Sequence, residues 1–555
     1  MLRQSTASLR QPLTVALLSV DFRLQNWQAE ALVALQQEGV IRVTRLAACA
    51  PCVGRFETLA CASLAWAETL MYKHGDRPEG FVDARPLFPE ATAARQAPSL
   101  RSDRPPGVDL AVNCGVEERS CGIVARLGTL SCDFRGSPSL VGVYRTLLGD
   151  GGTLPLAVRL RRREREVVVE RAWPALPPRP LFHEAMRTVC RRAGALLTKA
   201  VRDIASGEMK PHSAPPDGTP AAARIDVPAL GRYARRRIAD SFKARSRKIS
   251  QRPTWADDDN NWFLAYRTNP EHFVCNTERF SSNGLQLMLP PKDRFYADPC
   301  VVEHQGREHI FLEEWNLADR KGVIAWTRVE NGRPGAVEPV LKRPYHLSYP
   351  FVFEAGKDVF MIPESAAARR VELYRAVDFP TRWEPAEILL DNVVATDATV
   401  HELDGRWWMF VTVGEQGSSR YDQLFLYHAD NVHGPWRPHK RNPVKIDVRS
   451  ARPAGRLFQR GGKLIRPTQD CSVRYGGALT LCEVKHLSLL DYAEVAAEKL
   501  LPDWLPMNIG FHTLSHCARL EVIDGKMLPG KTARFPGAIG LSKTNTGKSP
   551  QELTV

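Results

Sequence analysis

Between residues 296 and 525 one arrangement of polar and apolar positions recurs five times, roughly fifty residues apart. Each unit opens on a short polar string and alternates apolar with polar residues. It then reverses at a Gly or Asp-Gly turn and returns as a second apolar run. The openings are Tyr296-Ala297-Asp298-Pro299 before CVVEHQGREHIFLEEW, Ser348-Tyr349-Pro350 before FVFEAGKDVFMIPES, Thr396-Asp397-Ala398-Thr399 before VHELDGRWWMFVT, Ala451-Arg452-Pro453-Ala454 before GRLFQRGGKLIRPTQD, and His512-Thr513-Leu514-Ser515 before CARLEVIDGK. Strand pairs repeated at this period predict an all-β five-bladed propeller. The innermost strands of such an array start at one end of its channel, so the spacing brings Asp298, Asp397, Arg452 and His512 to one mouth.

The first 210 residues alternate strand and helix patterns instead. Residues 13–20 read as a buried strand, 26–37 as an amphipathic helix with Trp27, Ala31, Ala34 and Leu35 on its apolar side, and 40–46 as the next strand, the opening of an α/β, Rossmann-like domain. Strand patterns follow at 108–112 and 123–127, a helix at 138–148, a hairpin from 154–160 and 167–169, and a long helix at 181–205. The Pro-, Ala- and Arg-rich stretch 75–106 reads as a surface excursion. PHSAPPDGTPAAAR has linker composition, and the following basic residues surround Tyr233, Ile238 and Phe242. The expected organisation is an α/β domain over 1–210, a linker with a basic segment over 211–258, a propeller over 259–535 and a tail over 536–555.

With 43% hydrophobic and 25% charged residues, the 555-residue chain has the apolar material for two or three packed domains. Its net charge of +14 arises wholly in the first 250 residues, and the remainder is balanced. That distribution argues against a polyanion threading the propeller and points the first half towards an acidic partner or an anionic membrane. The segment 232–248 reads either as an interfacial helix whose cations meet lipid or as a solvated helix packed on the propeller. It lacks an aromatic-interleaved platform, so no nucleic acid is expected. The twelve cysteines read as reduced, mostly buried thiols. The N-terminal stretch MLRQSTASLRQPLTVALLSVDF is short in apolar length and closed by Asp21, which fits a first strand better than a signal peptide. No run of about eighteen apolar residues occurs. The expected location is cytoplasmic, peripheral to the inner membrane face if the basic segment binds lipid.

At 127–151, LGTLSCDFRGSPSLVGVYRTLLGDG resembles formyltransferases of the methionyl-tRNA and sugar-nucleotide type through Arg135-Gly136-x-Pro138, the helix after it and Gly149-Asp150. The resemblance implies a formyltransferase-type fold. Ala125, Leu127, Thr129 and Cys132 stand where that family carries its Asn, His and neighbouring polar residues. Alanine and leucine neither move a proton nor hold an oxyanion, so formyl transfer is not expected.

The second half resembles five-bladed arabinanase-like glycoside hydrolases and fructosidases. It is most similar to the N-terminal domain of glucosamine inositolphosphorylceramide transferases, through Phe295-Tyr296-Ala297-Asp298-Pro299, Phe360-Met361-Ile362-Pro363-Glu364-Ser365, Asp397-Ala398-Thr399, Gly434-Pro435-Trp436, Arg466-Pro467-x-Gln469-Asp470 and Gly510-Phe511-His512-Thr513. The hydrolase resemblance implies three channel acids, for which Asp298, Glu364 and Asp397 are the candidates. The order of acid types departs from the hydrolases, which leaves glycosyl transfer or sugar binding. Arg452 and Arg466 suit a phosphate or carboxylate, Gln469 and His512 suit hydroxyl groups, and Trp315 suits a sugar face. No metal-ligand spacing, Walker motif or dinucleotide glycine pattern is present, so neither metal nor cofactor is expected.

Two functions follow from this reading. One is an enzyme of glycan or glycolipid biosynthesis acting on a sugar nucleotide, phosphorylated sugar or lipid-linked glycan. The other is a non-catalytic sugar-binding scaffold built from two degenerate enzyme folds. Carboxyl groups about 5–5.5 Å apart suit retaining chemistry and about 6.5–9.5 Å apart inverting chemistry, whereas more distant or salt-bridged acids favour the scaffold.

Overall fold

A computed structural model describes residues 11–71, 80–95, 107–117, 123–148, 153–163, 165–176, 182–210, 225–226, 228–236, 239, 261–414 and 419–528. The linker 211–224, the tail 536–555 and most of the basic segment lie outside them. The chain forms two compact units, Met1–Ile249 with Lys445–Val448, and the remainder.

The first unit is built on a seven-stranded sheet in the order Thr92–Arg95, Ile41–Ala48, Leu13–Ser19, Leu110–Asn113, Gly128–Phe134, Leu156–Arg162, Arg165–Ala172. The first five strands run parallel, and an antiparallel hairpin completes one edge. Strands covered on both faces need continuous apolar side chains, and Val15, Ala16, Leu17 and Leu18 are all buried. The helix Asn26–Gln37 starts at a capping box between Gln25 and Gln28 and buries Trp27, Ala31 and Leu35. The helix Phe182–Ser206 buries Ala185, Val189, Ala193 and Leu196 at helical spacing.

Several expectations for this unit need correction. The strand expected at 123–127 lies at Gly128–Phe134, because pairing with Leu110–Asn113 sets its position. The excursion 75–106 contains the parallel edge strand Thr92–Arg95. A helix at Arg55–Met71 had no counterpart in the sequence pattern. Cys49 is disulfide-bonded, not reduced, and among the described residues ten other cysteines are free. Tyr233 lies in the core of this unit against Phe182, ring centroids 4.6 Å apart, and not in a lipid-facing stripe.

The second unit is a five-bladed propeller. Blade 1 is Arg294–His304, Arg307–Asn316 and Lys321–Glu330 with short outer strands. Blade 2 is Ser348–Ala355, Asp358–Ser365, Arg370–Asp378 and Arg382–Asp391. Blade 3 begins Val394–Leu403, Arg406–Gly414 and Gln423–Ala429, and blade 4 is Phe458–Arg460, Lys463–Asp470, Ala478–Leu487 and Tyr492–Leu500. Tight hairpins join the first strand pairs where both turn residues take positive φ, as at Gln305-Gly306, Asp404-Gly405 and Gly461-Gly462. Apolar clusters join neighbouring blades. Phe351 and Phe360 of blade 2 pack with Val400 and Met409 of blade 3, and each such side chain contributes about 1.5–3 kcal/mol on burial.

Blade 5 draws on both ends of the segment: Trp262–Arg267 pairs antiparallel with Glu521–Met527, which joins the first strand of the propeller to its last. The Asp-Gly read as a turn in CARLEVIDGK is instead Asp524-Gly525 inside the strand Glu521–Met527. Gly525 is required by packing, since a Cβ there would come within 2.5 Å of the Phe263 ring.

Candidate functional site

Blades 1, 2 and 3 open their innermost strands with the same local device. Register shifts fall between Ala297 and Cys300, Ser348 and Phe351, and Thr396 and Thr399. Within each bulge one residue is left-handed: Asp298 (φ 51), Tyr349 (φ 44) and Asp397 (φ 55). A bulge takes a side chain out of the strand's alternation and re-aims it, at roughly 1–2 kcal/mol for a left-handed L-residue. All three side chains are buried.

On one side of the mouth, Asp397 accepts two hydrogen bonds from Arg452, Nε to Oδ2 at 2.5 Å and Nη2 to Oδ1 at 3.1 Å, and a third from Gln469 Nε2 at 2.7 Å. Arg452 Nη2 also lies 3.5 Å from Glu364 Oε2. The guanidinium is stacked near Tyr475 and Tyr421, 5.0 and 5.4 Å from the ring centroids. Glu364 reaches the mouth although it ends a second strand, because the antiparallel hairpin sets it opposite Ser348. Burial, reinforced by Asp397 and opposed by Arg452, holds the Glu364 carboxyl well above its ordinary range.

On the other side, Asp298 Oδ1 accepts from Thr513 Oγ1 at 3.0 Å and lies 3.7 Å from His512 Nε2. His512 Nδ1 is 2.5 Å from Asp524 Oδ2, while Asp524 Oδ1 accepts the backbone N–H groups of His512 and Thr513 at 2.8 and 2.9 Å. Asp524 thus fixes the imidazole with Nε2 directed to Asp298. The ring is stacked on Trp262 at 3.9 Å. Burial disfavours the imidazolium, but Asp524 and then Asp298 hold His512 above its usual pKa. Burial pushes Asp298 up to about 6, with His512 opposing and Asp397 assisting. Glu313, opposite Ala297 in the hairpin, is raised well above the ordinary carboxyl range by burial and then by Asp298, Glu364 and Asp397.

The structure therefore brings Asp298, Glu364, Asp397, Arg452, Gln469 and His512 together. Trp315 is half-buried at the edge of an aromatic cluster with Phe295 and Trp262, stacked on Phe295 at 5.7 Å. Arg466 does not join the site. It is fully buried, bound to both Glu494 oxygens at 2.8 and 2.6 Å and to the carbonyls of Ser450 and Ala451. The expected role of Arg466 in binding an anion is corrected accordingly: it ties blade 4 to its own outer strand. Glu313, Tyr349, Thr513 and Asp524 were missed as site residues. Glu313 in IFLEEW reaches the mouth as Glu364 does, from a second strand across a hairpin, and Tyr349 occupies the bulge position of Asp298 and Asp397.

The described residues hold one group with metal-ligand proximity, Asp298, His512 and Asp524. Their ligand atoms already bond to one another or to Thr513 and backbone amides.

Residues 255–503 match the sequence family described as Glucosamine inositolphosphorylceramide transferase 1, N-terminal. The propeller is similar to that domain. A glucosamine inositolphosphorylceramide transferase 1 from Oryza sativa subsp. japonica is 32% identical over 250 residues, which is 42% of this chain and 34% of the rice protein. One from Arabidopsis thaliana is 30% identical over 257 residues, 44% and 31% of the two chains. The chain thus spans about a third of the length of these curated relatives. Among solved structures it is similar to a thermostable family-43 glycoside hydrolase (TM-score 0.30, 11% identity, 37% of this chain and 76% of that one). A family 117 glycoside hydrolase from Zobellia galactanivorans gives a TM-score of 0.31 at 12% identity, over 48% and 92% of the chains.

Proposed function

We propose that the propeller mouth is a carbohydrate site of glycan or glycolipid biosynthesis that handles a glycosyl group. The observation that carries this reading is the divergence of its acids: Asp298, opposed by His512, is raised only to about 6, while burial and neighbouring carboxylates hold Glu364 and Glu313 well above the ordinary carboxyl range. Breaking or making a glycosidic bond needs such a proton acceptor and donor pair. Asp298 would stabilise developing positive charge at the sugar carbon or accept a proton. Glu364 would protonate the leaving oxygen, and His512, oriented by Asp524, would tune Asp298. The similarity to glucosamine inositolphosphorylceramide transferases supports a sugar nucleotide, phosphorylated sugar or lipid-linked glycan as ligand.

The scaffold reading retains one specific support, the ion pairing of Asp397 with Arg452. A thermal-shift screen of the full chain against sugar nucleotides and phospho-sugars separates the two readings. A ligand at 100 times its Kd adds about 2.7 kcal/mol. A ligand turned over by the parent and not by Asp298→Asn or Glu364→Gln supports transfer, binding without turnover supports the scaffold, and no binding at all refutes both.

For the α/β unit we keep the reading of a formyltransferase-type domain without formyl transfer, supported by its central parallel strands and by the apolar Ala125 and Leu127. Turnover of a folate formyl donor with an amino-sugar nucleotide would overturn it. The basic first half supports an anionic partner or membrane face, in keeping with a cytoplasmic, peripheral location. Binding to vesicles with and without anionic lipid tests it.

A further inference from the structure

Blade 4 contributes a series of arginines whose partners differ in one respect. Arg452 is paired with Asp397, Arg460 with Glu498 and Arg466 with Glu494. Arg456, half-buried among them, has no carboxylate partner among the described residues. Its Nη2 donates to Val352 O at 2.6 Å, and the guanidinium lies 4.9 Å from the centre of the Phe351 ring. Val352 and Phe351 belong to blade 2, so this side chain reaches from blade 4 past blade 3 to a non-adjacent blade. The neighbouring Gly455 tolerates no side chain, since its φ is +134 and an added Cβ would lie 2.0 Å from Leu514 O.

Arg456 lines a small cavity, partly open to solvent, shared with Asp298, Tyr349, Phe351, Thr513 and Ser515. The same cavity thus touches the candidate site through Asp298 and a cation without a counter-ion through Arg456. Two histidines near Arg456 do not add fixed charge: burial, and then Arg456 itself, lowers His516 to about 4 and also lowers His401. A partly desolvated charge left without an opposite charge is costly, and a guanidinium with open donors matches the fork of a phosphate or carboxylate.

We propose that Arg456, and not Arg452 or Arg466, binds the anionic substituent, phosphate or carboxylate, of a sugar ligand held at the mouth. This rests on the carbohydrate reading above for the sugar, but the anion subsite can be tested by itself. Inorganic phosphate, glucose 1-phosphate, glucuronate and glucose are titrated by calorimetry into the full chain, its Arg456→Gln variant and its Arg456→Lys variant. Inorganic phosphate and glucose 1-phosphate are expected to bind the parent, to lose at least tenfold in affinity in Arg456→Gln and to lose less in Arg456→Lys, which keeps the charge but not the fork. Glucuronate following the same order assigns carboxylates to the subsite as well, and glucuronate failing to bind restricts the proposal to phosphate. Phosphate binding that is absent from the parent overturns the proposal. Binding that is equal in the parent and Arg456→Gln also overturns it, because it then belongs to the basic first half. If Arg456→Gln does not fold, unchanged phosphate affinity in Arg456→Lys overturns the fork and a reduced affinity supports it. Glucose 1-phosphate binding no better than inorganic phosphate, with the arginine dependence intact, strikes the carbohydrate reading and leaves the anion subsite standing.

Discussion

The two sides of the propeller mouth hold their buried acids by different means. Asp397 and Glu364 face Arg452, a cation that keeps its charge at any pH the fold survives, whereas Asp298 faces His512, which can lose it. The first side therefore keeps a fixed cation beside the raised Glu364 carboxyl, while the cation of the second side can itself titrate. Removing the fixed cation should do the most damage. Arg452→Met leaves Asp397 and Glu364 buried without their cation, and breaking a buried pair in this way costs about 3–5 kcal/mol. The melting transition of the propeller should fall accordingly. Arg452→Lys should fall by less, because it restores charge without the two-point contact. A Met variant melting with the parent would mean that the ion pair does not organise this side.

Acid–base titration reaches both sides. Asp298, Glu313, Glu364 and His512 all have folded pKa values above their unfolded ones. The native state thus binds more protons than the unfolded chain, and stability falls as pH rises through the folded values. For Asp298 the contribution is complete below about 3.8 and gone above about 6, an effect of order 3 kcal/mol. For His512 it is complete below about 6.5 and is lost above that. The propeller should melt higher at pH 6 than at pH 8, and His512→Gln should flatten the upper part of that slope. A melting temperature that rises between pH 6 and 8 would contradict the assigned shifts.

Asp298→Asn sharpens the contrast further. The swap is nearly isosteric, keeps an acceptor for Thr513 and removes a buried charge, so the melting temperature should not fall and above about pH 6 should match or exceed that of the parent. Function at the mouth should nevertheless be lost, measured as turnover or affinity for a ligand from the screen. A large drop in melting temperature would make Asp298 a structural turn residue.

The repeat was legible because each blade restates a short local grammar: a polar opening, period-two alternation and a glycine turn. That grammar located Asp298, Asp397, Arg452 and His512 without any long-range information. Contacts made across a hairpin or between blades left weaker traces. Glu313 was hidden in a second strand, and Asp524 was disguised by Gly525 as a turn, although that glycine answers to Phe263 and Trp504. Arg466 failed for the converse reason: nothing near it in sequence announces Glu494, which arrives from the outermost strand of the same blade. In the α/β unit, periodicity found the strands at 13–20 and 40–46 and the helices at 26–37 and 181–205, but it misplaced Gly128–Phe134 and missed both the helix Arg55–Met71 and the edge strand Thr92–Arg95, which has little apolar pattern because only one of its sides is paired.

The smallest expected effect concerns the rim. Trp315 is half-buried, and its neighbours Phe295 and Trp262 are almost fully buried, so Trp315, with the similarly half-buried Tyr475, has a face left for a ligand. Truncation to alanine removes the stacking on Phe295 and the edge contact to His346, 5.2 Å between ring centroids, but opens no deep cavity. The stability loss should be about 1–2 kcal/mol, well below that of Arg452→Met, while Trp315→Phe should recover most of it. If a sugar packs on the exposed face, Trp315→Ala should weaken glucose 1-phosphate by about tenfold and leave inorganic phosphate unchanged, since phosphate has no apolar face to stack. Equal weakening of both would place the effect in the packing of the mouth as a whole. Stacking by the rim and charge recognition by Arg456 would then be one coupled event.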